Sequence, residues 1–204
     1  MVSMEYERQI RDQGFRMVCG VDEAGRGPLA GPVCAAAVIL PDGCEIDGLD
    51  DSKKLTEKKR EALFDTIRSQ AVAYGIAMAD EEEIDRLNIL NATFLAMCRA
   101  VAMLSPPAEY ALIDGNRTPK GLSIPSLCIV KGDGVSASIA AASVLAKVTR
   151  DRFMLELDKQ YPEYQFAKHK GYPTALHRSL VCQYGPSPVH RKSFLTKILP
   201  PEGA

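Results

Sequence analysis

The sequence carries almost no net charge: 25 basic and 26 acidic side chains in 204 residues leave −1. No global field therefore draws the protein to nucleic acid or membrane, and a polyanion-binding role has to rest on local clusters. Metal-binding or redox cysteine spacing is also lacking. Cys19, Cys34, Cys44, Cys98, Cys128 and Cys182 show no CxxC or Cys/His pattern, and four of them lie in or beside apolar runs, as buried free thiols do. That excludes a zinc site and a disulfide framework, and it is the usage of a reducing cytosol. Long apolar stretches are missing as well. The longest is 33–40, far short of a membrane span, and the polar first fourteen residues hold no secretion-signal core. Without repeats or long linkers, one cytoplasmic domain with a modest appendage is expected, because a chain this long buries roughly 70% of its unfolded surface.

Local basic clusters do exist, at Lys53–Arg60, Lys168–Lys170 and His190–Lys192. For any one of them alone, a solvated face or loop is the cheaper explanation. Apolar patterning predicts strands at 17–21, 33–40, 71–79, 110–113 and 126–130, the first two antiparallel across a short Gly/Pro turn. It predicts helices at 56–70, 80–87, 91–104, about 135–161 and 175–183. The long helix opens on Ser136, Ala137, Ser138, Ala140, Ala141, Ala142 and Ser143, small enough to let its backbone lie close against a sheet. The fold class is α/β, one layered structure with a C-terminal extension.

Three predicted strands end in acids: Asp22-Glu23, Asp114, and Asp133 just past the fifth. In α/β sheets, sites gather where strand ends meet loops. Two carboxylates about 4 Å apart repel by roughly 4 kcal/mol at an effective dielectric near 20, so such a cluster needs raised pKa values or bound cations. Oxygen-only ligands select Mg²⁺ or Mn²⁺, and two such ions are the standard device for phosphodiester cleavage. Adjacent strand residues point to opposite faces, so Asp22 and Glu23 ligate together only if the strand stops there and the glutamate swings round. Taken singly, each Asp-Gly is also an ordinary turn.

Gly20-Val21-Asp22-Glu23-Ala24-Gly25-Arg26-Gly27-Pro28-Leu29-Ala30-Gly31-Pro32-Val33 resembles the N-terminal signature of the ribonuclease HII family. The resemblance continues through Asp51-Ser52-Lys53-Lys54-Leu55, Leu112 to Asn116, Lys131-Gly132-Asp133 and Ala141 to Asp151. It closes with His169 to Thr174 and His190 to Phe194. Ordered blocks over nearly the whole chain are far more specific than a lone motif. The resemblance implies a ribonuclease H-like fold, a mixed five-stranded sheet flanked by helices, over 1–165, with a helical extension at 166–204 completing the substrate groove. It implies an endonuclease that hydrolyses the RNA strand of RNA–DNA hybrids. The same enzyme would cut 5′ to ribonucleotides embedded in duplex DNA, with two Mg²⁺ or Mn²⁺ ions, leaving a 3′-hydroxyl and a 5′-phosphate.

On the same footing, Asp22, Glu23, Asp114 and Asp133 match the family's four acids, catalytic and metal-binding. Asp151 is a rival for the fourth place, but its i,i+4 spacing from Lys147 is that of a helical ion pair. The loop of Gly25, Arg26 and Gly27 would read the 2′-hydroxyl, the group that distinguishes RNA from DNA at one sugar. Tyr172 would stack on the following deoxy sugar, and Lys53, Lys168 and Lys170 would join Arg26 on phosphates, which position rather than specify. Arg26 in the loop favours this branch over ribonuclease HIII, which lacks that arginine and usually carries an added N-terminal domain. A monomer is expected, and no clamp-binding motif is discernible after Phe194. Two rivals stand beside this reading. A non-catalytic nucleic-acid-binding module would have no use for clustered acids, and an aspartyl phosphatase would need a DxD strand end that Asp22-Glu23-Ala24 does not supply.

Overall fold

The computed structural model of the protein describes residues 2–50, 52, 55–196 and 198. Its centre is a five-stranded sheet of order β3-β2-β1-β4-β5, with β1 Val18–Ala24, β2 Val33–Ile39, β3 Ala73–Ala79, β4 Tyr110–Asp114 and β5 Ser126–Ile129. The β1–β2 and β2–β3 pairs are antiparallel, and β1–β4 and β4–β5 are parallel. The expected mixed sheet is therefore present. Helices α1 Glu5–Arg11, α2 Glu57–Gln70, α3 Glu81–Leu87, α4 Ile89–Ala102 and α5 Ala137–Gln160 flank it. The C-terminal part adds α6 Phe166–His169, α7 Ala175–Tyr184 and α8 Lys192–Leu195. No helix among the described residues is long and apolar enough to cross a membrane.

Side-chain alternation assigns the two faces. Cys19, Val21, Ala35, Ala37 and Ile39 pack with Ala92, Ala96, Met97 and Ala100 of α4. Cys34, Ala36 and Val38 pack with Leu63, Phe64 and Ile67 of α2 and with Ala141, Ala142 and Leu145 of α5. Both faces being covered, every residue of β2 is buried, which is why it reads as an unbroken apolar run rather than an alternating one.

Helix α5 lies directly on β1. A Cβ built on Gly20 would stand 2.1 Å from the backbone carbon of Ser138 and 2.2 Å from the amide nitrogen of Ile139. The small residues that open α5 permit this approach, and Gly20 completes it. Because the obstacle is backbone, Gly20→Ala is expected to cost about 3 kcal/mol or more, the upper end of overpacking penalties. A denaturant titration showing less than 1 kcal/mol of loss would contradict that contact. The N-terminus of α5 is held from a distance. Glu7 on α1, fully buried, accepts hydrogen bonds through Oε1 from the Ser136 hydroxyl at 2.6 Å, the Ser138 hydroxyl at 2.6 Å and the Ser138 amide at 2.9 Å. An anion there suits the positive end of the helix dipole.

One sequence expectation is corrected. The first strand does not stop at Asp22-Glu23 but continues to Ala24, because β2 remains paired with it, Asp22 opposite Ala36 and Glu23 opposite Ala35. On its other side, the parallel partnership with β4 ends at Val21 and Ile113. The two neighbouring strands thus cease to pair one residue before Asp22 and Asp114.

Candidate active site

That opening between β1 and β4 is where the acids gather. Asp22 points to the α5 face and is 3% exposed. Its carboxyl accepts the Glu23 amide at 2.7 Å and is hydrogen-bonded by Ser143 of α5. Ser143 in turn shares a 2.8 Å hydroxyl contact with Ser52, which ties that serine to the site. Glu23 points to the other face. With Asp114, Arg26, Asn116 and Arg117 it lines a cavity of about 330 Å³ floored by Thr93, Phe94 and Met97 of α4. Asp114 Oδ1 accepts the Gly132 amide at 2.7 Å, which draws the turn carrying Asp133 against the end of β4. Asp133 itself is 4% exposed in the short 3₁₀ turn Gly132–Gly134.

Burial raises the Asp22 pKa well above the usual carboxylate range, and the negative charges of Glu23 and then Asp114 push the same way. The Ser143 and Glu23 hydrogen bonds oppose this only in part. Asp22 therefore feels both Glu23 and Asp114, although adjacent strand residues leave from opposite faces. Among the described residues, no three His, Cys, Asp or Glu side chains are drawn in tightly enough to hold an ion by themselves. The donors at this opening are nonetheless all oxygens, with a buried acid under like-charge pressure, and that set fits a hard divalent cation.

Beside the acids stands the loop of residues 25–32. Arg26 is exposed and reaches Glu23 Oε1 at 3.4 Å. Gly25 has φ +101°, and a Cβ on it would stand 2.0 Å from Arg150 Nε, so glycine is required there by internal packing. Gly27 is different. The nearest atom to a Cβ at that position is Cε1 of Tyr172, at 3.9 Å, so nothing inside the protein demands glycine. The structure brings Gly27 and Tyr172 together on the surface. Lys168 and Lys170 instead bond within their own turn, to Gln165 Oε1 and to the Ala167 carbonyl, both at 2.6 Å. Lys53 lies outside the described residues. Asp151 pairs with Lys147 at 2.7 Å, the helical ion pair its spacing implies.

Two buried arginines shape the loop, Arg150 from α5 and Arg191 from the residue before α8. Arg191, fully buried, donates to the carbonyls of Gly25 at 2.7 Å, Pro28 at 2.8 Å, Gly31 at 2.8 Å and Arg26 at 3.1 Å. Arg150, also fully buried, donates to the carbonyls of Pro32 at 2.9 Å, Lys170 at 3.1 Å and Ala30 at 3.2 Å. Together they turn the loop's carbonyls inward. The run His190–Lys192 is accordingly neither a solvated face nor a phosphate contact at its first two residues. His190 is 2% exposed and Arg191 is inside.

All three histidines of the chain meet behind Tyr172. His169 and His177 stack at 4.2 Å, and His177 Nε2 lies 3.0 Å from His190 Nε2. Burial lowers the pKa of both His177 and His190 to about 4, with the neighbouring histidine charges acting in the same direction. Since the folded values lie below the unfolded value near 6.5, this contribution to stability is intact above pH 6.5. It is lost as pH falls from there towards 4, where the unfolded chain binds the extra protons. Histidine Cε1–H resonances followed by NMR are expected to show no His177 or His190 midpoint above pH 5. Midpoints near 6.5 would contradict the arrangement.

Comparison with known proteins places this geometry. A solved ribonuclease H2 from Pyrococcus horikoshii OT3 superposes with a TM-score of 0.71 at 28% identity, covering 87% of this chain and 93% of that one. A ribonuclease HII from Archaeoglobus fulgidus, solved in complex with PCNA, superposes with a TM-score of 0.68 at 25% identity, covering 88% and 94%. The fold is thus that of the ribonuclease H class of α/β nucleases. In sequence, the ribonuclease HII of Dechloromonas aromatica (strain RCB) is 64% identical over 87% of this chain and 90% of its own length. The sequence model of the ribonuclease HII family matches residues 19–197. The chain belongs to the ribonuclease HII family, and it is a ribonuclease H, a hydrolase of RNA in RNA–DNA hybrids.

Proposed function

We propose that the protein is an endonuclease that also cuts on the 5′ side of ribonucleotides embedded in duplex DNA, leaving a 3′-hydroxyl and a 5′-phosphate. The observation that carries this reading is the shared field of Asp22, Glu23 and Asp114 at the opening between β1 and β4, beside the surface pairing of Gly27 with Tyr172. Asp22, Glu23 and Asp114 would hold divalent cations, Mg²⁺ or Mn²⁺, with Asp133 as the fourth acid. When bound, two such ions supply charge neutralisation and a nucleophile for in-line cleavage.

The chain's own residues supply selection and placement. Gly27 leaves room for a ribose to approach the loop backbone, where its 2′-hydroxyl can be read. Tyr172 offers a face for the next sugar. Arg26, beside Glu23, meets the phosphate, with Lys53 as a further backbone contact, and Lys168 and Lys170 join them by exchanging the bonds within their own turn for phosphate oxygens, fixing register without reading sequence. Residues 1–165 form the catalytic unit and 166–204 the extension that closes the groove. The Leu180, Val181 and Leu195 side chains of that extension pack with Leu29 and Met154, which seats it on the first unit. The chain would act as a monomer in the cytoplasm.

The test is cleavage of a labelled DNA duplex holding one ribonucleotide, with an all-DNA control and with chelator. Cleavage only of the first duplex, only with divalent ion and on the 5′ side, is the expected result. Equal cutting of the control would remove the role given to Gly27.

A further inference from the structure

We propose that His177 is a positioning residue for substrate recognition, holding Tyr172 in place through its main-chain carbonyl. This deepens the reading of Tyr172 given above and rests on it. Tyr172 is 38% exposed, and Lys147 Nζ and the Arg150 guanidinium carbon each stand 5.8 Å from its ring centroid. The turn that delivers it is demanding, since Lys170 and Gly171 both adopt the left-handed region, φ +50° and +81°. Main-chain hydrogen bonds on either side of Tyr172 set where this turn delivers the ring.

Histidines provide that anchoring at both ends of the residue. The Tyr172 amide donates to the His169 carbonyl at 2.9 Å, and its own carbonyl accepts from His177 Nδ1 at 3.0 Å and the Thr174 amide at 2.8 Å. The tautomers follow from donors that have no choice. The Ser187 amide points at His190 Nδ1 at 3.0 Å, so that nitrogen is an acceptor and the proton sits on Nε2. His190 Nε2–H then donates to His177 Nε2, which leaves the His177 proton on Nδ1, directed at the Tyr172 carbonyl. The Gly171 amide likewise points at His169 Nδ1 at 3.2 Å, fixing its Nε2–H towards the Tyr164 carbonyl at 2.9 Å. Every ring is thus neutral, with one assignment of its proton.

The far end of this chain of bonds is the glycine loop itself. The segment that carries His190 pairs with the loop through Gly31 N to Val189 O at 2.9 Å and Arg191 N to Leu29 O at 2.8 Å. Leu29 N donates to Gly171 O at 2.8 Å, closing the circuit beside Tyr172. His177 is the link through which the Tyr172 carbonyl is referenced to the loop that holds Gly27.

The test compares wild type, His177→Phe, His177→Asn and Tyr172→Ala on two substrates, a duplex with one ribonucleotide and a continuous RNA–DNA hybrid. His177→Phe keeps the ring shape but removes the donor, whereas the asparagine amide occupies the place of Nδ1–H. The ratio of kcat/KM between single-ribonucleotide and hybrid substrates is expected to fall about tenfold in His177→Phe, mainly through KM, and to return to within about threefold of wild type in His177→Asn. Affinity for the single-ribonucleotide duplex, measured in chelator, is expected to follow the same order. An unchanged ratio in His177→Phe, with Tyr172→Ala losing it, would overturn the positioning role alone. So would an equal loss on both substrates that tracks the thermal midpoint, or an asparagine variant no better than phenylalanine. If Tyr172→Ala itself kept the ratio, the reading of Tyr172 would fall and this role with it.

Discussion

Asp114→Asn is expected to reduce cleavage by at least about a thousandfold while leaving substrate affinity nearly unchanged, the pattern of an interaction made in the transition state. The substitution is close to isosteric. Asparagine Oδ1 still accepts the Gly132 amide that Asp114 accepts at 2.7 Å, so the turn bearing Asp133 stays in place. What disappears is a negative charge that, after burial and Glu23, adds to the raised Asp22 pKa. The folded protein therefore loses repulsion, and its thermal midpoint is expected to stay level or rise slightly. This separates loss of chemistry from loss of fold. Activity within tenfold of wild type, or a midpoint lowered by many degrees, would count against Asp114 as a member of the reactive cluster.

Arg191→Met is expected to have the largest effect on stability. The methionine fills similar space, but the carbonyls of Gly25, Arg26, Pro28 and Gly31 lose their donors in a site without solvent. Each buried acceptor left unpaired costs roughly 1–3 kcal/mol. Against this, the variant no longer has to bury a guanidinium, a cost visible in the native arginine. Burial lowers its pKa to about 9, with Arg150 acting in the same direction and Glu81 opposing. The balance is expected near 3–5 kcal/mol of lost stability, the range for breaking a buried charged network. For a domain of this size that is a fall of about 10 °C in Tm. Arg191→Lys is expected to recover only part, because an ammonium cannot address four carbonyls in a planar fork. Below the transition, kcat/KM is expected to be reduced as well, since the freed loop carries Gly27. Calorimetry showing an unchanged midpoint would mean that other contacts hold the loop.

The contrast between these two residues marks what the sequence could express. The acids were legible because a strand followed by an acid and glycine is a local pattern, and the Lys147–Asp151 pair was legible because i,i+4 is a local spacing. Arg191 was not. In the sequence it sits in a basic run that resembles surface, and only the return of the chain onto the loop at 25–32 buries it. The histidines at 169, 177 and 190 are likewise separate letters until α6, α7 and the segment before α8 converge. Ser143 and Ser52, which reach Asp22 from α5 and from a distant block, share that character. The error over the end of β1 has the same origin. The acids looked like a stop signal, but β2 pairs with β1 beyond them, and it is β4 that lets go. Helix α1 has little signature in the sequence because it is short and polar apart from Tyr6 and Ile10; its part in the fold, capping α5 with Glu7, is a contact across more than a hundred residues.

The most direct measurement is an anomalous-scattering map from crystals soaked in manganese. The account predicts ion density at the mouth between the first and fourth strands, within bonding distance of Asp22 and Asp114, and its loss in the Asp114→Asn protein. Manganese bound elsewhere, or none at all with both side chains turned apart, would contradict it.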